Sequence, residues 1–205
     1  MFIKGNVLKF YNWSETERLA RKRLFSPLAD DSMIPIPWSH VKYWSCIACG
    51  ICCKGYDVVL GFNEWVNVVR TYGVGVTEPG ISKFYLRKKD DGTCIFLYKL
   101  SDIWLCGLQQ MKPRACKIWP FKIHDKPKFG RPNEASYTYI GRKLFIYVDP
   151  SCLGTRWGNP TQEFTYKTIP ELIEIALGLR EKQYYSTSRI PYHPVYLRVR
   201  GRKII

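Results

Sequence analysis

The clearest β signal in the hydrophobic pattern is at residues 137–140 and 143–148, two β-rich runs joined by Gly141-Arg142, which suits a two-residue turn with glycine first. This predicts an antiparallel hairpin. Helical spacing is clearest at Leu172, Ile173, Ala176, Leu177 and Arg180, behind Thr168-Ile169-Pro170-Glu171, which reads as a capping box with proline in the first turn. That helix is expected to end near Tyr185. Upstream, residues 56–60 predict a short strand, and Asn63 predicts the cap of a helix reaching about Tyr72, with Gly73 as its stop. Residues 83–88 and 94–99 predict strands around an Asp-Asp-Gly turn.

Ser14-Glu15-Thr16-Glu17 is a second capping box and predicts a basic helix to about Phe25, with Arg18, Arg21, Lys22 and Arg23 spread around it. Pro27, Pro35 and Pro37 then predict an extended connector. At the other end, Arg198, Arg200, Arg202 and Lys203 flank one glycine and suit an edge strand or a basic arm. Three regions are expected: 1–45, a basic helix and Pro-rich connector; 46–154, a cysteine-cluster domain; and 155–205, a helix and basic tail packed on the same unit. The predicted fold class is α+β, a small domain organised by metal, with irregular loops, an antiparallel hairpin and two or three helices.

A chain of 205 residues, 46% of them hydrophobic, is long enough for one domain with a substantial core. The N-terminus lacks the order of a secretory leader, and no apolar run approaches the roughly 20 residues that span a bilayer, so the expected compartment is the cytoplasm. There a reducing environment disfavours four disulfides among the eight cysteines, although disulfides stay open as an alternative. The net charge of +15 fits either a solvated basic surface or a nucleic-acid, ribonucleoprotein, anionic-membrane or acidic-protein partner, met through the basic flanks.

Cys46-Ile47-Ala48-Cys49-Gly50-Ile51-Cys52-Cys53 places a thiol at every third residue, so a tight loop can aim three sulfurs at one point, with Gly50 free to curl. If the segment is extended, the neighbours Cys52 and Cys53 point to opposite sides and serve two different centres. Cys94, Cys106, Cys116 and Cys152 complete eight thiolates, enough for two four-sulfur sites, though each of these four could instead be an ordinary buried thiol. Zinc ribbons supply thiolates from two separated C-x-x-C knuckles, whereas only one knuckle region exists here, so iron–sulfur, with a 4Fe-4S cluster first, ranks ahead of zinc.

These residues resemble a known family of small cysteine-cluster proteins with a C-x-x-C-G-x-C-C motif, described as a zinc- or iron-chelating domain. Cys46 to Cys53 match the opening motif, Asp91-Gly92-Thr93-Cys94-Ile95-Phe96-Leu97 resembles the family's Gly-x-Cys-x-Phe-Leu strand, and Cys106 precedes a basic residue and proline. Residues 112–121 resemble its Arg-Pro-x-x-Cys-Arg-x-Phe-Pro-Phe block, and Cys152-Leu153-Gly154 its closing Cys-x-Gly. Lys112 and Lys117 stand where the family tends to have arginine, and Trp119 where it has phenylalanine. The resemblance implies a metal-binding protein with a structural or redox role beside a partner. Some relatives carry the pattern in flagellin lysine N-methylases, which implies an alternative: an iron–sulfur-dependent methyltransferase using S-adenosylmethionine. A third reading is a nucleic-acid or ribonucleoprotein module with structural metal. No glycine-rich dinucleotide fingerprint, phosphate loop or H-E-x-x-H occurs.

Other side chains carry weaker signals. Glu64 suits a base or a metal-supporting carboxylate, but more simply a helix N-terminal charge. His40, His124 and His193 have no partner at ligand spacing and stay outside the metal set. Trp38, Tyr43, Trp44 and Trp119 flank the cysteines and suit either packing around a centre or stacking on bases.

Overall fold

The computed structural model describes residues 34–108, 111–187 and 190, and the backbone of 198–199 and 202–203. The expected helix at 14–25, His193 and Arg200 lie outside the described residues. The described residues belong to a unit that runs from Ser32 to Ile205. It is mixed α+β, with several small antiparallel sheets and no closed barrel.

The largest sheet is built on β10 (Arg142–Val148), which pairs with β8 (Phe121–His124) along one edge. Along the other edge lie β1 (Ile36–Pro37) and β9 (Ser136–Tyr139). Leu144, Ile146 and Val148 point to one face and Phe145 and Tyr147 to the other, and all five are buried. The first face meets Val41, Trp44, Phe121, Phe164, Ile169, Leu172 and Ile173 in a first core, while the second meets Phe129 and Ala135, the latter on helix α4 (Pro132–Ala135). The predicted β9–β10 hairpin is present, but its turn is Ile140-Gly141 rather than Gly141-Arg142, because Arg142 pairs with Tyr139 in the ladder. Both turn residues have positive φ, 47° and 72°, as a type I′ turn requires.

A second core gathers Val58, Leu60, Val68, Val76, Leu86, Phe96, Leu97 and Leu108. It lies under β3 (Val59–Leu60), β4 (Thr77–Pro79) and β5 (Phe84–Leu86), which form one sheet, and beside the hairpin β6 (Leu97–Leu100) and β7 (Ile103–Cys106). The Asp-Asp-Gly turn is present and is closed by a Lys88–Cys94 bridge, although the strands at either side of it pair elsewhere. Among the described residues no helix is long and apolar enough to cross a membrane.

Two helices depart from their sequence signals. Helix α2 (Phe62–Tyr72), which follows the short helix α1 (Ile51–Gly55), stops at Gly73 as expected, but Gly61 rather than Asn63 is its cap, and the Gly61 N–H donates to Glu64 Oε2 at 2.8 Å. Helix α5 (Ile169–Leu177) has no capping box. Thr168 is itself helical and closes a π-helical turn, Phe164–Thr168, and the cap moves upstream to Thr161, whose Oγ1 accepts the Phe164 N–H at 3.2 Å. The helix ends at Leu177, not near Tyr185, because Gly178 turns left-handed (φ 78°) and the Leu179 N–H returns to the Glu174 carbonyl at 2.8 Å. In the tail, Arg198–Val199 (β12) and Arg202–Lys203 (β13) pair as a short antiparallel ribbon.

Candidate metal centre

The cysteine loop leaves β2 (Val41–Trp44), which pairs with β11 (Thr155–Trp157). Gly154 faces Ser45 so closely that an added Cβ would lie 2.3 Å from the Ser45 carbonyl oxygen. This join places Cys46 and Cys152 beside the same core. Trp44 is buried there and donates from Nε1 to the Cys152 sulfur at 3.4 Å. Asp149 builds the turn before Cys152 by accepting the Ser151 N–H and hydroxyl at 3.1 and 2.6 Å. The Cys46 N–H donates to the Ser186 carbonyl at 3.0 Å.

At Gly50 the backbone turns left-handed, φ 75°, to start helix α1 (Ile51–Gly55). A side chain at that position would press within 3.0 Å of Trp104, whose N–H donates to the Ala48 carbonyl at 2.8 Å. Cys52 and Cys53 therefore lie on a helical turn and not on an extended segment, with their sulfurs 3.9 Å apart. The Cys94 N–H donates to the Cys53 carbonyl at 2.8 Å. Cys106 ends β7 opposite Leu97, and Cys116 sits on helix α3 (Arg114–Ile118). Cys53, Cys94, Cys106 and Cys116 all pack on the second core.

Three side chains hold this framework. Glu64 stands in the first turn of α2, the helix N-terminal charge expected of it, and its Oε1 accepts the Arg114 N–H at 2.6 Å, joining the start of α2 to the start of the Cys116 helix. Gln183 donates to the Lys117 carbonyl at 2.8 Å and holds the other end. Glu171, buried in α5, accepts the N–H groups of Tyr184, Tyr185 and Ser186, and so fixes the strand of chain that receives Cys46. A carboxylate between Thr168 (i−3) and Ile175 (i+4), on an otherwise apolar helix face, was the available signal for it. His40 Nε2 is hydrogen-bonded to the Glu134 carboxylate, and His124 has a buried Nε2 with no hydrogen-bond partner among the described residues.

All eight cysteines are free thiols, Cys94 buried and the others half-buried. Burial, with the charges of Cys106 and Cys52, pushes Cys94 up to about 11. Burial likewise raises Cys116 and Cys152. The hydrogen bond between the adjacent pair raises Cys53, and, against burial and aided by Lys112, lowers Cys52 to about 6. Burial would lower Lys112, but Cys46, Cys106, Cys116 and Cys52 around its ammonium outweigh that and raise it. The thiols thus crowd one another: each negative charge formed makes the next more costly unless a cation joins them.

Among the described residues no three Cys, His, Asp or Glu side chains converge at metal-ligand distance. The sulfurs are gathered into neighbourhoods without being closed on a point. Their chemistry still fits a thiophilic metal, since the donors are thiols in a water-poor, aromatic-lined setting, with a lysine beside them to offset excess negative charge.

The fold and this set of thiols define a small cysteine-cluster domain. Residues 45–152 match the model of the CxxCxxCC family, described as "Putative zinc- or iron-chelating domain", and the chain belongs to that family. No curated protein and no solved structure matches the chain.

Proposed function

We propose that this chain is a metal-binding protein, that Cys46, Cys49, Cys52, Cys53, Cys94, Cys106, Cys116 and Cys152 are the ligands, and that the bound zinc or iron–sulfur centre is structural. The observation that carries this reading is the packing of six free thiols against the two cores, with the Cys52 sulfur 3.9 Å from that of Cys53, a crowding that opposes the thiolate form unless a cation joins them. A metal supplies the missing positive charge, and its binding free energy becomes folding free energy. The cysteine loop runs from the first core at Cys46 to the second at Cys53, so ligation there ties the two cores together.

The test is purification without oxygen, followed by measurement of iron, acid-labile sulfide and zinc per chain, the visible spectrum and the melting temperature. Iron with sulfide and a broad charge-transfer band assigns a cluster; zinc without sulfide assigns zinc sites. Cys49→Ser is expected to lower both bound metal and melting temperature. A chain without either metal, or a Cys49→Ser variant with full metal and unchanged melting, overturns the proposal.

A further inference from the structure

We infer that the cavity between β1, the turn at 129–131 and the end of β11 is a binding site for a small aromatic anion, a planar ring system that carries one carboxylate or phosphate. It stands apart from the thiols. Among the described residues that line it there is no cysteine, and it lies at the His40 end of β2, whereas the cysteine loop leaves from the Trp44 end. Its volume, about 740 Å³, is that of a small-molecule site.

The walls are fixed by the fold itself. Ile36 and Pro37 of β1 pair with Val148 and Tyr147 of β10. The Tyr147 hydroxyl donates to the Gly130 carbonyl at 2.8 Å, and the Phe129 ring meets the Tyr147 ring edge to face, so the 129–131 turn is anchored on the sheet. The Gly158 N–H donates to the His40 carbonyl at 2.8 Å and holds the third wall. Two departures from regular structure then fall on this cavity. The β2–β11 ladder slips between Arg156 and Trp157, so that Trp157 pairs with Val41 rather than Lys42, and such bulges re-aim side chains beside functional sites. Trp157 is left lining the cavity with 44% of its surface exposed. Arg131, which also lines it, is held at a left-handed φ of 47°, a strain that the surrounding structure must impose and that is found preferentially at ligand sites.

The ligand class follows from the lining. Residues 34–37, Phe129 and Trp157 make most of the wall apolar or aromatic, which suits a flat hydrophobic body. The charge stands at one end. His40 Nε2 is hydrogen-bonded to the Glu134 carboxylate, and Arg131 Nη1 is 3.9 Å from the same carboxylate, beyond hydrogen-bond reach. With Glu134 engaged by His40, the guanidinium fork remains for a carboxylate or phosphate, whose two oxygens match its geometry. A cation would be repelled there by Arg131, while the net charge of +15 draws anions to the molecule.

The test is isothermal titration calorimetry on the full chain purified without oxygen. Adenosine monophosphate and indole-3-acetate are the aromatic anions; adenosine, indole and inorganic phosphate each lack one half of that chemistry. At least one aromatic anion is expected to bind with Kd below about 1 mM, and about tenfold or more tighter than the probes that lack its ring or its charge. Arg131→Gly and Trp157→Leu should each weaken that binding about tenfold. Glycine suits the left-handed backbone at 131, so Arg131→Gly should keep its melting temperature and its bound metal, and binding lost in it is not folding lost. Preference for the nucleotide assigns a phosphate ligand and preference for the acid a carboxylate. Failure of both aromatic anions to bind, equal binding of the uncharged or ringless probes, or binding unchanged in Arg131→Gly overturns the site. If Trp157→Leu fails to fold, Arg131→Gly decides.

Discussion

Replacing Glu171 with alanine should destabilise the protein more than any surface change, although the residue is far in sequence from every cysteine it serves. Its side chain is fully shielded, and its oxygens accept the N–H groups of Tyr184 at 2.7 Å, Tyr185 at 3.2 Å and Ser186 at 3.4 Å, and the Ser186 hydroxyl at 3.2 Å. Tyr184 and Tyr185 are exposed enough for water to replace the lost acceptor, and Arg180 keeps Glu174 at 2.6 Å, so those terms are small. Ser186 is buried, and its two donors would be left without a partner. At about 1–3 kcal/mol for each buried unsatisfied group, the loss is about 3 kcal/mol. For a chain of this length that is roughly 6–12 °C in melting temperature. The assay is thermal unfolding of the metal-loaded chain at fixed metal concentration, because a ligand that binds only the folded state shifts the midpoint. Labelling of Cys46 should rise in the same variant, since Ser186 holds its N–H. A loss below about 1 kcal/mol would refute the reasoning, as it would show that the carboxylate does not satisfy those donors.

Two further outcomes are expected. Ile140→Asn should stabilise the protein by about 1 kcal/mol, because a β-branched residue is strained in the left-handed region while Asn-Gly is favoured in a type I′ turn; a melting temperature that stays level or falls would count against it. His124 has its pKa below the ordinary histidine value, from burial first and then from Lys128 and Lys122. The unfolded chain therefore takes up a proton below about pH 6.5 that the folded chain resists, so stability present above that pH is lost as pH falls through the folded value. His124→Phe should flatten this acid limb in urea midpoints measured between about pH 7 and 5, and an unchanged slope would contradict it.

Local signals were read where local physics decides. Gly73 ends α2 because the backbone there takes a positive φ of 83°, and β10 is a strand because both of its faces are covered from Leu144 to Val148. The hairpin turn was misplaced by one residue because a β-branched residue at positive φ goes against its own preference, and the ladder overrides it. Thr168-Ile169-Pro170-Glu171 satisfied the capping pattern, yet the Glu171 carboxylate is held by the returning chain at 184–186, a contact no short window contains. The ligand candidates were visible as residue types and spacing. Which of them would be neighbours was not, because Cys52 and Cys53 meet through the helical turn of α1 and Cys94 meets Cys53 through a backbone hydrogen bond from a distant part of the chain.

The contact between Trp44 and Cys152 spans 108 residues of chain. At the usual roughly 5–20 residues per second, a ribosome takes on the order of 5–20 s to pass from one to the other. The cysteine loop is therefore made well before its last sulfur, and Ser186, which holds the Cys46 N–H, is made later still. The order of synthesis thus leaves Cys46, Cys49, Cys52 and Cys53 without the partners that Cys152 and Ser186 supply until those later residues have been made.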